Sequence, residues 1–253
     1  FSGAGCPLIK VEEISAICRR LLSSPRLLYA NNIQSADLVA FTVTGDFSGV
    51  NLPSIDNALA TALRDQLGLE LQLMPFSLGL LFDLDTPADA LVLGDSSFAG
   101  TRTGACLSSL NWDYSRLRRA KEVLNGYYQE VALFGRVGAP VIECLNSNLK
   151  IRLRVFSEER GMKALGRVEA GQVVSLMGCL IDRVGLPEFF GYLSRVAQAA
   201  FIDTRVLMAH YRYNFSDRER FLSDLGRYEE IDHPWLKSFT REAICCPIPV
   251  MLG

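Results

Sequence analysis

Histidine is nearly missing from this chain: His210 and His233 are the two in 253 residues, and neither has a ligand-type partner at metal-binding spacing. Cysteine is present, but its seven residues are scattered singly apart from the adjacent Cys245 and Cys246. No C-x-x-C occurs, which excludes a zinc-ribbon pattern and a disulfide framework and fits a reducing, intracellular compartment. Excess charge of either sign is lacking too. The net charge is −2 and the isoelectric point is near 5.8, so no bulk basic field exists and a polyanion has to be held by a local patch. Lysine is scarce, 5 of the 26 basic residues, which leaves 21 arginines, the side chain suited to bidentate phosphate contacts. No apolar run approaches the roughly 18 residues of a membrane span. Phe1-Ser2-Gly3 lacks the basic start of a signal peptide, so a soluble protein is expected. The missing initiator Met suggests a processed or truncated chain. Repeats and low-complexity tracts are absent, and 49% apolar with 21% charged residues is ordinary globular composition.

Val11, Ile14, Cys18, Leu21 and Leu22 recur at helical spacing before Pro25, so residues 11–22 read as an amphipathic helix. Leu38 to Thr44 is rich in β-branched residues and stops at Gly45, as a strand does. Ile55, Leu59, Ala62 and Leu63 suggest a second helix after Pro53. Leu69 to Met74, Phe76 to Leu84 and Ala90 to Leu93 are short apolar runs bounded by Pro, Gly and Asp, and are expected to be strands. An Arg-rich helix within 113–133 is followed by candidate strands at Val141 to Leu145 and Leu149 to Phe156. Helices at Val173 to Val184 and Glu188 to Ala200 are broken by Gly185-Leu186-Pro187, and Ile202 to His210 follows as a third segment. The expected organisation is a core of residues 1–110 and 168–253, with a helix-strand-strand module at 111–167 inserted.

Several segments carry a resemblance in order. Ser35 to Val50, with Gly45-Asp46-Phe47-Ser48-Gly49 after the strand, resembles the first motif of the PARN-like deadenylases, the 3′-to-5′ poly(A)-specific ribonucleases of the DEDD nuclease superfamily. Asp46 takes the place of that family's Glu, and Thr44 stands where its first metal-binding Asp belongs. Pro75 to Phe82 looks like the family's second strand, Val173 to Asp182 like the segment ending in its third acid, and Leu186-Pro187 followed by Phe201 to Ala209 like its Leu-Pro and Leu-Leu-Asp-Thr-Lys-Leu-Met-Ala. The 111–167 module resembles part of those enzymes' inserted RNA-binding domain. The resemblance implies an α/β, RNase H-like mixed sheet flanked by helices.

It also implies a damaged active site. Enzymes of this kind hold two divalent ions with four carboxylates and use a His as general base. Here the family's Gly-His-Asn is replaced around Met177-Gly178-Cys179, and no His-x-x-x-Gly-Tyr-Asp-Ala motif follows. With Thr44 neutral, Asp46 and Asp182 remain as vestigial ligands, and the site falls from about four negative charges to about two. No cofactor is expected, and Mg²⁺ only if activity survives. The implied role is a non-catalytic, RNA-associated scaffold or assembly factor in a ribonucleoprotein, a mitochondrial ribosome among the candidates. The matrix, cytoplasm and nucleus are the compartments considered, and neither DNA nor a membrane is an expected partner. An active metal-dependent exoribonuclease is the alternative.

The expected RNA surface is Arg116, Arg118, Arg119 and Lys121 on the helix with Lys150, Arg152 and Arg154 on the following strand, where alternation puts the last three on one face. The plain alternative is that these cations pair with Glu122, Glu143 and Glu158. Asp203 is read as fixing a helix end, and Asp182 as a partner for Arg183 or Arg195. A third reading comes from Ala90 to Ser97, which resembles the strand and nucleophile turn of GDSL-type esterases, with Ser96 as nucleophile, His233 beside Asp232 as base, and Asn146 and Asn148 as approximate substitutes for the missing Gly-x-Asn-Asp.

Overall fold

The computed structural model describes residues 5–33, 36–42, 47–54 and 58–253. Thr44 and Asp46 lie outside the described residues, as does Ile55. The chain forms two compact units, each assembled from several segments: Phe1–Asp85 with Phe98–Gly100 and Gly161–Arg167, and Thr86–Ser97 with Thr101–Arg160 and Val168–Gly253.

In the first unit, α1 (Val11–Leu22) has Glu12 and Glu13 in its first turn and Arg19 and Arg20 in its last, matching the helix dipole at both ends. β1 (Leu27–Ala30) pairs antiparallel with β2 (Val39–Phe41). The turn between them is closed by the buried Asn31, whose side chain donates to the Leu80 carbonyl and accepts the amides of Asp37 and Leu38. After α2 (Leu59–Leu67), which ends on the left-handed Gly68, β3 (Glu70–Leu73) lies parallel to β1, giving the order β2-β1-β3. Leu28, Val39, Leu63 and Leu69 fill one core and Ile17, Leu38, Met74 and Leu80 another. α3 (Leu78–Leu81) closes the unit.

The second unit opens with α4 (Pro87–Gly94), α5 (Thr101–Ser109) and α6 (Ser115–Leu124). There follow β4 (Glu130–Gly135), α7 (Ala139–Asn148), β5 (Arg152–Ser157), α8 (Leu176–Val184), α9 (Leu186–Val196), β6 (Ala199–Ile202), α10 (Thr204–His210), α11 (Asp217–Leu225), α12 (Pro234–Cys245) and β7 (Val250–Leu252). The four strands are all parallel in the order β5-β4-β6-β7. Alternation along them supplies both faces. Ala132, Ala200, Ile202, Val250 and Leu252 pack against Phe189, Phe190 and Leu193 of α9 and Phe239 of α12. On the other face, Met251 packs against Leu91, Leu117 and Ala120 of α4 and α6, with Phe201 beside them. Each such fully buried large side chain contributes about 1.5–3 kcal/mol. The unit is thus an α/β sheet with helices on both faces, the arrangement that parallel strands require.

Three expected strands are helices. Phe76 to Leu84 contains α3, begun by the Ser77 hydroxyl accepting the Leu80 amide. Ala90 to Leu93 lies in α4, where Thr86 and Asp89 form a reciprocal capping box ahead of Pro87. Val141 to Leu145 lies in α7, with Pro140 in its first turn. Short apolar runs satisfy either element, and the caps decide. Consequently Phe76 to Leu84 supplies no strand beside β2, the described part of the strand expected over Leu38 to Thr44. The helix expected over Glu188 to Ala200 ends at Val196, since Ala199 begins β6. The 111–167 module is not a separate insert: its two strands, β4 and β5, share one sheet with β6 and β7 of the 168–253 segment. The chain first passes from one unit to the other at Asp85/Thr86, and no passage falls at 110/111.

Candidate functional site

The seven expected RNA-binding cations separate into two sets. α6 packs over β6 and β7, whereas β5 is the opposite edge of the sheet. The α6 set is engaged within the unit. Arg116 is largely buried, which pulls its guanidinium below the ordinary value, and it donates to the Asp224 carbonyl. Arg118 and Lys121 both hold Asp95, each at 2.8 Å. Burial pushes that carboxyl up, but the bonds from Lys121 and Arg118 outweigh it and leave it below the carboxylate range. Arg119 donates to the Pro247 carbonyl at 2.9 Å.

The other set stands as the alternation requires. Arg152, Arg154 and Phe156 occupy the outward positions of β5, with Lys150 just before them. Sequence reasoning missed the aromatic half of this edge. Tyr128 adopts φ 54°, uncommon for a bulky residue, and its amide donates to the Lys150 carbonyl, so the turn into β4 ends beside the start of β5. The rings of Tyr127 and Tyr128 meet edge-on, 5.0 Å apart, and are 61% and 62% exposed. Lys150 Nζ lies 4.7 Å from the Tyr127 ring centre and the Arg152 guanidinium 5.6 Å from that of Tyr128. Phe156 stacks on Phe134 at 5.2 Å and remains 47% exposed. One carboxylate interrupts the row: Glu130 accepts from Arg152 at 3.4 Å and forms an ion pair with Arg154 at 3.3 Å. The signal available in the sequence was Tyr127-Tyr128 directly before an apolar strand. The acids named as alternative partners are not used by these cations. Glu158 instead accepts the Ser175 hydroxyl and the Leu176 amide at the start of α8.

Of the two acids expected as metal ligands, Asp182 sits on α8 and accepts the Tyr211 hydroxyl at 2.9 Å, with His210 Nε2 3.9 Å away. Its partners are therefore Tyr211 and His210 rather than Arg183 or Arg195. Burial, then the Asp182 carboxylate, hold the Tyr211 phenol well above its ordinary range. His210 is not isolated, since its Nδ1 accepts the Ser175 amide. Asp203 caps α10 by accepting the Arg205 amide, as expected from the sequence. It also accepts Arg136 Nε at 2.6 Å and Arg205 Nε at 3.3 Å. Burial raises that carboxyl, yet the charges of Arg136 and Arg205 outweigh it and hold it below the usual range. Among the described residues, no three His, Cys, Asp or Glu side chains converge as a metal group.

For the esterase reading, Ser96 follows a helix, not a strand, and its hydroxyl donates to the Leu93 carbonyl. The His233 ring packs between Tyr213 and Phe215, and its Nδ1 is buried without a hydrogen-bond partner.

Fold and edge together define an α/β protein whose parallel sheet ends in a strand bearing aromatic rings and cations. Compared with known proteins, the chain matches no family model, no curated protein and no solved structure. No helix of the described residues is long and apolar enough to cross a membrane.

Proposed function

We propose that the protein is a non-catalytic, RNA-associated component of a ribonucleoprotein, and that it holds single-stranded RNA along the β5 edge. The observation that carries this reading is the row Tyr127, Tyr128, Lys150, Arg152, Arg154 and Phe156. Exposed rings offer sequence-tolerant stacking worth about 1–3 kcal/mol per base, and interleaved cations meet the phosphates. Glu130 is a weak obstacle. Its pairs with Arg152 and Arg154 are long, and both arginines are exposed although Glu130 is half-buried, so each is worth about 1 kcal/mol and yields to a phosphate.

The PARN-like lineage rests in this reading on the order of the sequence motifs alone, and the helix at Leu78–Leu81, where that family has its second strand, counts against an RNase H-like core. The non-catalytic half is supported by Thr44 in the place of an acid and by Asp182 being tied to Tyr211. The test is incubation with 3′-labelled oligo(A) and Mg²⁺ or Mn²⁺, together with fluorescence anisotropy on the same RNA. Binding without shortening is the expected outcome. Shortening that disappears in Asp46→Ala and Asp182→Ala overturns the non-catalytic assignment. RNA affinity unaffected by Arg152→Glu with Arg154→Glu overturns the β5 surface.

A further inference from the structure

Parallel sheets bind ligands at the carboxyl ends of the strands, where successive connections leave on opposite sides and open a crevice. In the second unit that place lies between β4 and β6, because β4 leads to β5 on one side while β6 continues to β7 on the other. A cavity of about 440 Å³ is found there. It falls within the roughly 300–1,000 Å³ of small-molecule sites. Its floor is Leu133 and Phe201, and its walls are Leu117 and Leu124 of α6 and Val141 and Leu145 of α7. α7 has no buried residue, and Val141 is 48% exposed. A helix that turns apolar side chains into an open groove lacks the body it would pack against.

The strand-end mouth of the groove is polar. Arg136, from the β4–α7 turn, and Arg205, from α10, both line it and are oriented by their shared bonds to Asp203. Two guanidiniums sharing one carboxylate retain one positive charge. Asp89 also lines the cavity, its carboxylate accepting the Thr86 amide and hydroxyl at the start of α4, where a helix dipole of about half a charge offsets it in part, so the mouth carries little net charge. Planar guanidinium donors at a mouth with so little excess charge match a monoanionic planar carboxylate better than a dianionic phosphate.

We propose that this cavity binds a small amphiphilic carboxylate, with its head on Arg136 and Arg205 and its apolar body between α6 and α7. The site is separate from the β5 edge, and its occupancy does not depend on RNA. Isothermal titration of the intact protein with octanoate, octanol and octyl phosphate tests it. Octanoate is expected to saturate one site, with octanol and octyl phosphate each at least tenfold weaker. Arg205→Gln should lower octanoate affinity about tenfold and leave octanol unchanged, a pattern that a misfolded variant would not give. Leu145→Trp, on a helix without buried residues, should fill the groove and abolish binding of all three while the thermal unfolding midpoint stays in place. Equal affinity for octanoate and octanol, tighter binding of octyl phosphate, no saturation by octanoate, or undiminished binding in a folded Leu145→Trp protein would each overturn the assignment.

Discussion

Gly135 lies so close to Asp203 that a Cβ added to the glycine would fall 2.5 Å from the Asp203 Cβ. The contact joins the end of β4 to the end of β6, and Gly135 takes φ +106° to make it. Gly135→Ala therefore meets two penalties: about 1–2 kcal/mol for the backbone region and about 1–3 kcal/mol for overpacking. A lower urea midpoint with an unchanged slope is expected. An unaltered midpoint would show that the two strand ends separate readily.

Asp203 has a depressed carboxyl, so its contribution to stability is present above the unfolded value of about 4 and is lost as pH falls through the folded one. Asp203→Asn leaves Arg136 and Arg205 without a counter-charge and should cost about 3 kcal/mol at pH 7. On acidification the gap between wild type and variant should narrow, read as melting temperatures that draw together as pH falls below about 4. Parallel curves across that range would contradict the charge assignment.

Asp224 has the opposite sign. It is 3% exposed, and burial pushes its carboxyl up to about 7 against the pull of Arg205 and Arg220. A raised folded value means the native state holds the proton more tightly, so stability is highest below about pH 4 and declines as pH rises towards 7. Asp224→Asn should be nearly neutral at pH 4 and stabilising by a few kcal/mol at pH 8. A variant less stable than wild type at pH 8 would show that the ionised form is the one the fold accommodates.

For RNA, Lys150, Arg152 and Arg154 amount to three phosphate contacts. The logarithm of affinity should then fall with the logarithm of salt with a slope of about −2 for single strands. Arg152→Glu with Arg154→Glu should flatten that slope, while Tyr127→Ala with Tyr128→Ala should weaken binding at every salt concentration by about the same factor. If the tyrosine pair changes the slope instead, the rings are not stacking on bases.

Periodicity alone makes α1, β5 and the break at Gly185 legible in the sequence. Each spans enough residues, or carries a strong enough breaker, for spacing to decide. It fails for Leu78–Leu81, Ala90–Leu93 and Val141–Leu145, where the same apolar run serves a strand or a helix. The alternation correctly puts Arg152 and Arg154 on one face of β5, with Lys150 just before the strand. What the α6 cations do is not legible, because their partners Asp95, Asp224 and Pro247 stand 23 to 128 residues away. The cavity depends on strand order, which no local pattern encodes.

The units are interleaved, with the chain passing between them at 85/86, 97/98, 100/101, 160/161 and 167/168. No single cut separates one from the other. A fragment beginning at Thr86 still carries Phe98–Gly100 and Gly161–Arg167, which belong to the first unit, and a fragment ending at Asp85 lacks them. β5 and α8 follow one another in the second unit only by way of a loop lodged in the first. Producing either unit alone therefore requires rejoining separate segments of chain, not a single truncation.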